Sequence, residues 1–278
     1  MKRGTLPFVY DIGGSTLVGT AHIIPKQLYD ERFSRTLPEM AEFYLDGKET
    51  AAFETDIGAL ASGIDGSIYE SKHKLGETLG SEIRALDNVV KTDIAKIGTL
   101  YGKRASKIFR TMYDDARKTD DLAIIAMTAY TAEMYCMQPI QLDAEFYYRA
   151  KDMGKALLPL ESVEEQMQAL KKVGGNVDAR KMIDIIKEIL EGTAQERAMR
   201  AMFVPYVDGD IASVMREVSS PENSASFGPV FYDRNPKFYE RSRPLFNDPK
   251  NIIFVGVGHC PYITDHAASD GFSVKRLS

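Results

Sequence analysis

The chain has 278 residues, of which 44% are hydrophobic, and its 35 Lys and Arg against 40 Asp and Glu give a formal charge of −5. Affinity for nucleic acid rests on Lys and Arg contacts to phosphates, so a mildly acidic chain without a basic run excludes nucleic acid as the main partner. Two cysteines, Cys136 and Cys260, are too few for a disulfide framework. The longest apolar stretch, Leu122 to Met137, is too short to span a bilayer, so we expect no integral membrane segment.

The first four residues, Met1 to Gly4, carry no apolar signal segment. We therefore expect a soluble protein. It would be cytoplasmic if this N-terminus is native, and periplasmic or secreted if the chain is a mature form from which a signal peptide was trimmed.

The N-terminal region predicts a β-hairpin. Phe8 to Ile12 has the composition of a short strand, Gly13-Gly14 is typical of a two-residue turn, and Ser15 to Gly19 returns as the second strand. His22 follows a few residues later. The segment from about Lys26 to Phe43 then has a helical pattern that is interrupted near Pro38.

Three later apolar runs predict strands that each lead to a polar residue: Thr50–Phe53 to Glu54, Lys155–Leu160 to Glu161, and Ile252–Val257 to His259. The alternating segment Phe272–Leu277 predicts a half-exposed strand at an edge of the sheet. Pro159 is unusual in a central strand, because proline cannot donate to the hydrogen-bond ladder.

Helical patterns separate these strands. Apolar residues recur at steps of three and four from Leu75 to Ile97, and further helices are predicted at 108–112, 122–137, 182–190 and 199–203. Strands at both ends and in the middle, with helices between them, predict an α/β fold with a mainly parallel central sheet covered by helices. We expect one domain over residues 1–278, with a helical insertion at about 62–138 that caps the site.

Four of the predicted strands lead to side chains that can bind a metal: His22, Glu54, Glu161 and His259. Ligands gather at the carboxyl ends of parallel strands, so these side chains should converge. Both histidines lie in the pattern Gly-x-x-His, in which glycine permits a sharp turn and a close backbone approach. The alternative interpretation is two hydrogen-bonded core histidines.

Five segments, in chain order, resemble a known family: Val18–His22 with Pro25, Ala52–Asp56, Leu142-Asp143 with Gly154-Lys155 and Leu160-Glu161, Tyr206 with Gly209-Asp210 and Asp233-Arg234-Asn235, and Val255–Pro261 with Gly271–Val274. The ordered set resembles the TraB/PrgY/GumN family, which includes the TIKI proteases and is similar in fold to erythromycin-esterase-like and ChaN-like proteins. The chain departs from the family at Cys260-Pro261-Tyr262, and residues 61–138 carry no family signature.

The resemblance implies a metal-dependent hydrolase, most closely a peptidase, in which His22, Glu54 and His259 bind a divalent ion such as zinc, manganese or cobalt. Such an ion activates water and polarises a carbonyl. Glu161 or Asp56 is then a candidate for accepting the proton from water, and Arg234 for stabilising an oxyanion. Asp56, Asp143 and Asn235 are candidates for binding substrate. The structural alternatives are a helix N-terminal acid for Glu161 and an ion pair with Asp233 for Arg234.

The substrate expected from this interpretation is a peptide or a small acyl compound. Two other functions stay open. One is a metal-free hydrolase, in which a histidine is the general base towards an ester. The other is a protein that binds haem or a peptide, because family members are linked to pheromone shutdown and ChaN-like proteins to haem.

Overall fold

The structure is a computed structural model. It describes residues 2–59, 139–175, 199–218 and 231–278, with isolated positions in 106–114 and 184–196 and at 228. The chain divides into two compact units, one of Met1–Ile64, Ile140–Ala169 and Met202–Ser278, the other of Asp65–Pro139 and Leu170–Ala201. The first unit carries the site. The predicted insertion, the helices within 75–137 and 182–190, and the capping of the site lie almost wholly outside the described residues and stay predictions.

A six-stranded sheet forms the centre of the first unit. Its strands are β1 (Val9–Ile12), β2 (Ser15–Thr20), β4 (Thr50–Phe53), β6 (Ala156–Pro159), β7 (Asn251–Gly256) and β8 (Val274–Arg276). They lie in the order β6-β4-β7-β2-β1-β8. Neighbours from β6 to β2 are parallel, and β1 is antiparallel to both of its neighbours. The predicted α/β fold with a mainly parallel sheet is confirmed.

The N-terminal hairpin has the predicted turn. Gly13 and Gly14 have φ values of 59° and 103°, the left-handed conformations that a tight hairpin turn requires at both central positions. At the two edges of the sheet lie β8, as the alternation of residues 272–277 predicted, and β6. The edge position of β6 explains how a strand can end in Pro159 without breaking the ladder.

The described helices are α1 (Lys26–Arg32), α2 (Leu37–Leu45), α3 (Leu142–Asp152), α4 (Val163–Gly175), α5 (Val204–Asp208), α6 (Ile211–Val218), α7 (Asn235–Ser242) and α8 (Cys260–Ser269). The helical segment predicted over 26–43, with an interruption near Pro38, is two helices, because Thr36 and Glu39 form a capping box that begins a new helix there. A short π-helical turn, Met199–Phe203, precedes α5. Within the described parts of the chain, the helices are too short or too polar to traverse a bilayer.

Aromatic packing joins α3 to the sheet beneath the site. Phe53 on β4 stacks on Phe254 of β7 with ring centroids 5.1 Å apart, and Phe146 of α3 stacks on the same Phe254 ring at 4.9 Å. All three side chains are buried. Strands β3 (Ile23–Pro25) and β5 (Pro139–Gln141) form a separate two-stranded pair. The backbone N–H of Leu142 donates to the carbonyl of His22, so the start of α3 is also tied to the first histidine.

Candidate functional site

The four predicted polar residues all follow the carboxyl ends of parallel strands. Glu54 comes directly after β4, Glu161 two residues after β6, His22 two residues after β2 and His259 three residues after β7. The strand order therefore places them in the sequence Glu161, Glu54, His259 and His22 along one edge. Glu161 is held beside Glu54 by backbone pairing, since its N–H donates to the Glu54 carbonyl at 2.8 Å.

Glu54 lies at the centre of this group and is 8% exposed. Its Oε1 accepts the backbone N–H of Gly256. The same oxygen lies 3.8 Å from Nε2 of His22 and 3.7 Å from Nε2 of His259. Its Oε2 accepts from Nη2 of Arg234 at 2.9 Å. Burial alone would raise the pKa of Glu54, but the two imidazoles and the guanidinium outweigh it and lower that pKa to about 2.

The glycines of both Gly-x-x-His motifs are required by close packing. A Cβ on Gly256 would lie 2.7 Å from Nε2 of His22 and 3.0 Å from Oε1 of Glu54. A Cβ on Gly19 would lie 2.7 Å from Sγ of Cys260. Both distances are too short for a carbon atom. Glycine at position 256 therefore lets the side chains of His22 and Glu54 approach the backbone, and glycine at position 19 does the same for Cys260.

His22 has a strained backbone and an accessible side chain. Its φ is +56°, and the N–H of Ile23 donates to the carbonyl of Ala21 at 2.5 Å, which makes His22 the centre of a three-residue turn. The side chain is 51% exposed, and its Nδ1 contacts Oδ2 of Asp143. Desolvation would lower the pKa of His22, but Asp143 and Glu54 outweigh it and raise that pKa to about 9.

His259 is buried. Its Nδ1 lies 2.5 Å from Oδ1 of Asn235, the first residue of α7. Its ring packs against Phe231 and Phe238, with centroid distances of 5.4 and 4.7 Å. Desolvation lowers the pKa of His259 to about 4, so the ring is neutral at ordinary pH. Cys260, the next residue, is buried too, in agreement with the core position expected of a small apolar thiol.

Arg234 links the two carboxylates. Its Nε donates to Oε2 of Glu161 at 3.0 Å, and its Nη2 contacts both Oε1 of Glu161 and Oε2 of Glu54. The guanidinium lies 4.7 Å above the ring of Phe238. All three polar side chains are buried. Burial raises the pKa of Glu161 more than Arg234 lowers it.

The structural alternatives for Glu161 and Arg234 were a helix N-terminal acid and an ion pair with Asp233. Helix α4 is capped by Ser162 and Glu165, each of which bonds the backbone N–H of the other. Glu161 is therefore not needed as the acid of that N-terminus, and it faces Arg234 instead. Arg234 forms ion pairs with Glu54 and Glu161.

The three candidates for binding substrate lie in different surroundings. Asp143 and Asn235 contact the Nδ1 atoms of the two histidines, a position from which they orient the imidazole rings. Asp56 accepts the hydroxyl of Tyr147 at 2.6 Å and the backbone N–H of Ala59 at 3.0 Å, which is the local role of a helix N-cap. The orienting role of Asp143 and Asn235 was missed because it depends on contacts across 121 and 24 residues of sequence.

A cavity of about 220 Å³ opens beside the central carboxylate. Its lining includes the polar side chains of His22, Glu54 and Asp143 and the apolar side chains of Phe53 and Phe254. Thr55 and Gln166 also line it. Sequence reasoning gave neither residue a role, although Thr55 directly follows Glu54.

The donor types at the centre, two imidazoles and a carboxylate, are ones that divalent metal ions take in proteins. Zinc binds histidine nitrogen and carboxylate oxygen at about 2.0–2.2 Å, so two ligands of one ion lie at most about 4 Å apart. The distances of 3.7 and 3.8 Å from Glu54 to the two imidazoles lie within that limit. As they stand, no three His, Cys, Asp or Glu side chains in the described ranges have the spacing to hold an ion, so these donors must first move closer. Two imidazoles and one carboxylate suit zinc, manganese or cobalt.

Comparisons with known proteins test the family resemblance of the sequence motifs. The comparisons with curated proteins and with solved structures give no match. A family model described as TraB/PrgY/gumN family matches residues 10–276, which include all four polar residues at the strand ends. Because this match covers nearly the whole chain, the protein belongs to the TraB/PrgY/gumN family.

Proposed function

We propose that this protein is a metal-dependent hydrolase that cleaves a peptide bond or a related acyl bond. The observation that carries the proposal is the arrangement of the two imidazoles. Each has an oxygen acceptor at Nδ1, Asp143 for His22 and Asn235 for His259, and each directs Nε2 towards the same oxygen of Glu54. Metal-binding histidines characteristically have such an acceptor at the second ring nitrogen.

The protonation of the two rings is compatible with a bound cation. An acceptor at Nδ1 holds a ring proton there, so the neutral ring of His259 presents the lone pair of its Nε2 to the ionised carboxylate of Glu54. His22 has a pKa of about 9, so its ring faces Glu54 as a cation at neutral pH. A divalent ion would take the place of the proton on Nε2 of His22, and two imidazole nitrogens and one carboxylate oxygen would then surround one positive charge.

The remaining side chains of the site hold the donors in place. Arg234 and the N–H of Gly256 fix the two oxygens of Glu54, and Glu161 in turn orients Arg234. When bound, a divalent ion would lower the pKa of water towards about 7 and polarise a substrate carbonyl. Glu161 lies next to Glu54 and has a raised pKa, so it is our candidate for accepting a proton.

The test measures metal and activity together. We expect the purified wild-type protein to hold stoichiometric metal by mass spectrometry, and to lose its cleavage of a peptide library on treatment with a chelator. Glu54→Gln keeps the shape of the side chain and removes its charge. It should therefore lower metal affinity and activity by tenfold to a hundredfold or more. Glu49→Gln is the matched control, because Glu49 lies at the opposite end of β4 in an exposed ion pair with Lys250.

Two outcomes would contradict the proposal. An active wild-type protein without metal and without chelator sensitivity would rule out the metal, and Glu54→Gln with normal metal content would rule out its role as a ligand.

A metal-free hydrolase is the second candidate, and the His22–Asp143 contact favours it. This pair resembles the imidazole and carboxylate of a general-base mechanism, and the ring of His22 is half exposed at the cavity. Its pKa of about 9 makes the imidazolium the main form at neutral pH. A base mechanism therefore predicts that turnover rises with pH until about 9 and does not respond to chelators. A rate that is already at its plateau near pH 7 would exclude it.

A further inference from the structure

Three residues that line the cavity beside Glu54 carry buried polar atoms whose hydrogen-bonding capacity is unused. Among the described residues, Thr55 Oγ1, Asp143 Oδ1 and Gln166 Oε1 are buried side-chain oxygens without a hydrogen-bond partner. All three residues line this cavity, and Thr55 is only 5% exposed. A buried polar atom without a partner costs about 1–3 kcal/mol, so a cluster of three at one cavity needs an explanation.

The chemistry of these atoms selects the ligand that would satisfy them. The oxygens of Asp143 and Gln166 only accept hydrogen bonds, and the hydroxyl of Thr55 can accept as well as donate. A ligand that satisfies them must therefore present N–H or O–H donors. The apolar side chains of Phe53 and Phe254 also line the cavity, so a ligand that fills it would present an apolar group as well.

The size of the cavity suits one residue of a chain. Its volume of about 220 Å³ lies below the range of about 300–1,000 Å³ typical of sites for whole drug-sized molecules. A peptide residue with an apolar side chain combines the required features, because its own backbone N–H and that of the next residue lie close to its side chain.

We propose that this cavity is a specificity subsite for one apolar residue of a peptide substrate, whose backbone N–H groups donate to Thr55, Gln166 and Asp143. This inference rests on the proposed hydrolase function and narrows its substrate class. The subsite should bind amides more tightly than esters. An ester oxygen that replaces N–H has no proton to donate, so it leaves a buried acceptor unsatisfied. Discrimination based on unpaired buried polar groups is strong.

The first test measures binding without catalysis. The probes are N-acetyl-L-leucinamide and N-acetyl-L-leucine methyl ester, which have the same apolar side chain and differ in the terminal N–H donors. Ligand-observed NMR on the full chain should show binding of the amide and at least tenfold weaker binding of the ester. Equal binding of both probes, or no binding of the amide, would overturn the subsite.

Two substitutions locate the binding in the cavity. Thr55→Val is nearly isosteric and removes the hydroxyl, so it should weaken the amide and leave the ester unchanged. Thr16→Val is the matched control, because Thr16 lies at the far end of β2, where its hydroxyl accepts from Lys48. Ala144→Leu fills the cavity from α3 and should weaken both probes. If both probes bind Ala144→Leu as they bind the wild type, the cavity is not their site.

Cleavage assays separate this inference from the proposed function. If the wild type binds the amide in the cavity and cleaves no peptide, the hydrolase proposal fails and the subsite stands. If the wild type cleaves peptides with the same kcat/KM as Thr55→Val and Ala144→Leu, the subsite fails and the hydrolase proposal stands. The expected result is a raised KM in both variants with unchanged metal content, since neither side chain is a metal ligand.

Discussion

The two Gly-x-x-His motifs have the same pattern in the sequence and different surroundings in the structure. The His22 half of the site (His22 and Asp143) is partly exposed, has a strained backbone, and places a carboxylate at the imidazole. The His259 half (His259, Asn235 and Arg234) is buried, packs against Phe238, and places an amide at the imidazole. The pKa values follow this difference, since that of His22 is about 9 and that of His259 about 4.

This asymmetry indicates that the His259 half and the His22 half have different roles in stability and activity. The His259 half has few ways to move, because aromatic rings and a buried ion pair surround it. The His22 half lies on the cavity and can respond to a ligand. We therefore expect substitutions in the His259 half to lower stability as well as activity, and substitutions in the His22 half to lower activity with little loss of stability.

Arg234→Ala should have the largest effect. It leaves Glu54 and Glu161 as adjacent buried carboxylates without their cation, and breaking a buried pair in this way costs about 3–5 kcal/mol. Denaturant unfolding measures this loss. Arg241→Ala is the control, because Arg241 pairs with Glu165 at an exposed position of α7. A normal melting temperature for Arg234→Ala, with activity reduced a hundredfold or more, would instead show the oxyanion role that the sequence suggested.

Next in size is the difference between His259→Ala and His22→Ala. Both should lose activity at least a hundredfold, because each removes a candidate metal ligand. His259→Ala should also cost about 2–5 kcal/mol of stability, as large-to-small changes in a core do. His22→Ala should cost about 0.5 kcal/mol or less, as surface changes do. Calorimetry checks both, with His266→Ala on α8 as an exposed control. Equal losses of stability would refute the division between the halves.

A smaller effect is expected at the residues that orient the imidazoles. Asp143→Asn removes the charge behind His22 and should lower metal affinity tenfold to a hundredfold, the range typical of such partners. Asn235→Asp places a new carboxylate behind the buried His259, so it should increase the affinity or cost stability through desolvation. Competition with a chromogenic chelator measures both affinities. Unchanged affinity in Asp143→Asn would show that this contact does not prepare His22 for a metal.

The smallest effect concerns the backbone of His22. A φ of +56° costs about 1–2 kcal/mol for a residue with a Cβ, and glycine avoids that cost. His22→Gly should therefore be more stable than His22→Ala by about that amount, although both lack the imidazole. Thermal unfolding of the two variants makes the comparison. Equal stability would mean that the turn at His22 relaxes once the imidazole is gone.

The sequence by itself determined the strands and the polar residues that follow them. Apolar runs before His22, Glu54, Glu161 and His259 predicted four strands, and all four are parallel neighbours in the sheet. This worked because buried parallel strands are near-continuous apolar runs, which a local pattern displays. The glycines of the two motifs were also visible, although not the atoms that require them. The helical segment over 26–43 was visible too, with its interruption near Pro38, although not the capping box at Thr36 that begins the second helix.

Only the tertiary structure decided how these residues act on one another. It placed Asp143 behind His22 and Asn235 behind His259, and it gave Arg234 two carboxylates far away in the sequence. It also gave Asp56 hydrogen bonds from the hydroxyl of Tyr147 and the backbone N–H of Ala59, as in an N-cap. Hydrogen bonds between distant segments follow no periodicity in the chain, so a sequence pattern does not contain them. Burial has the same origin, and it makes the ring of His259 neutral, whereas the carboxylates of Asp143 and Glu54 keep the more accessible ring of His22 charged.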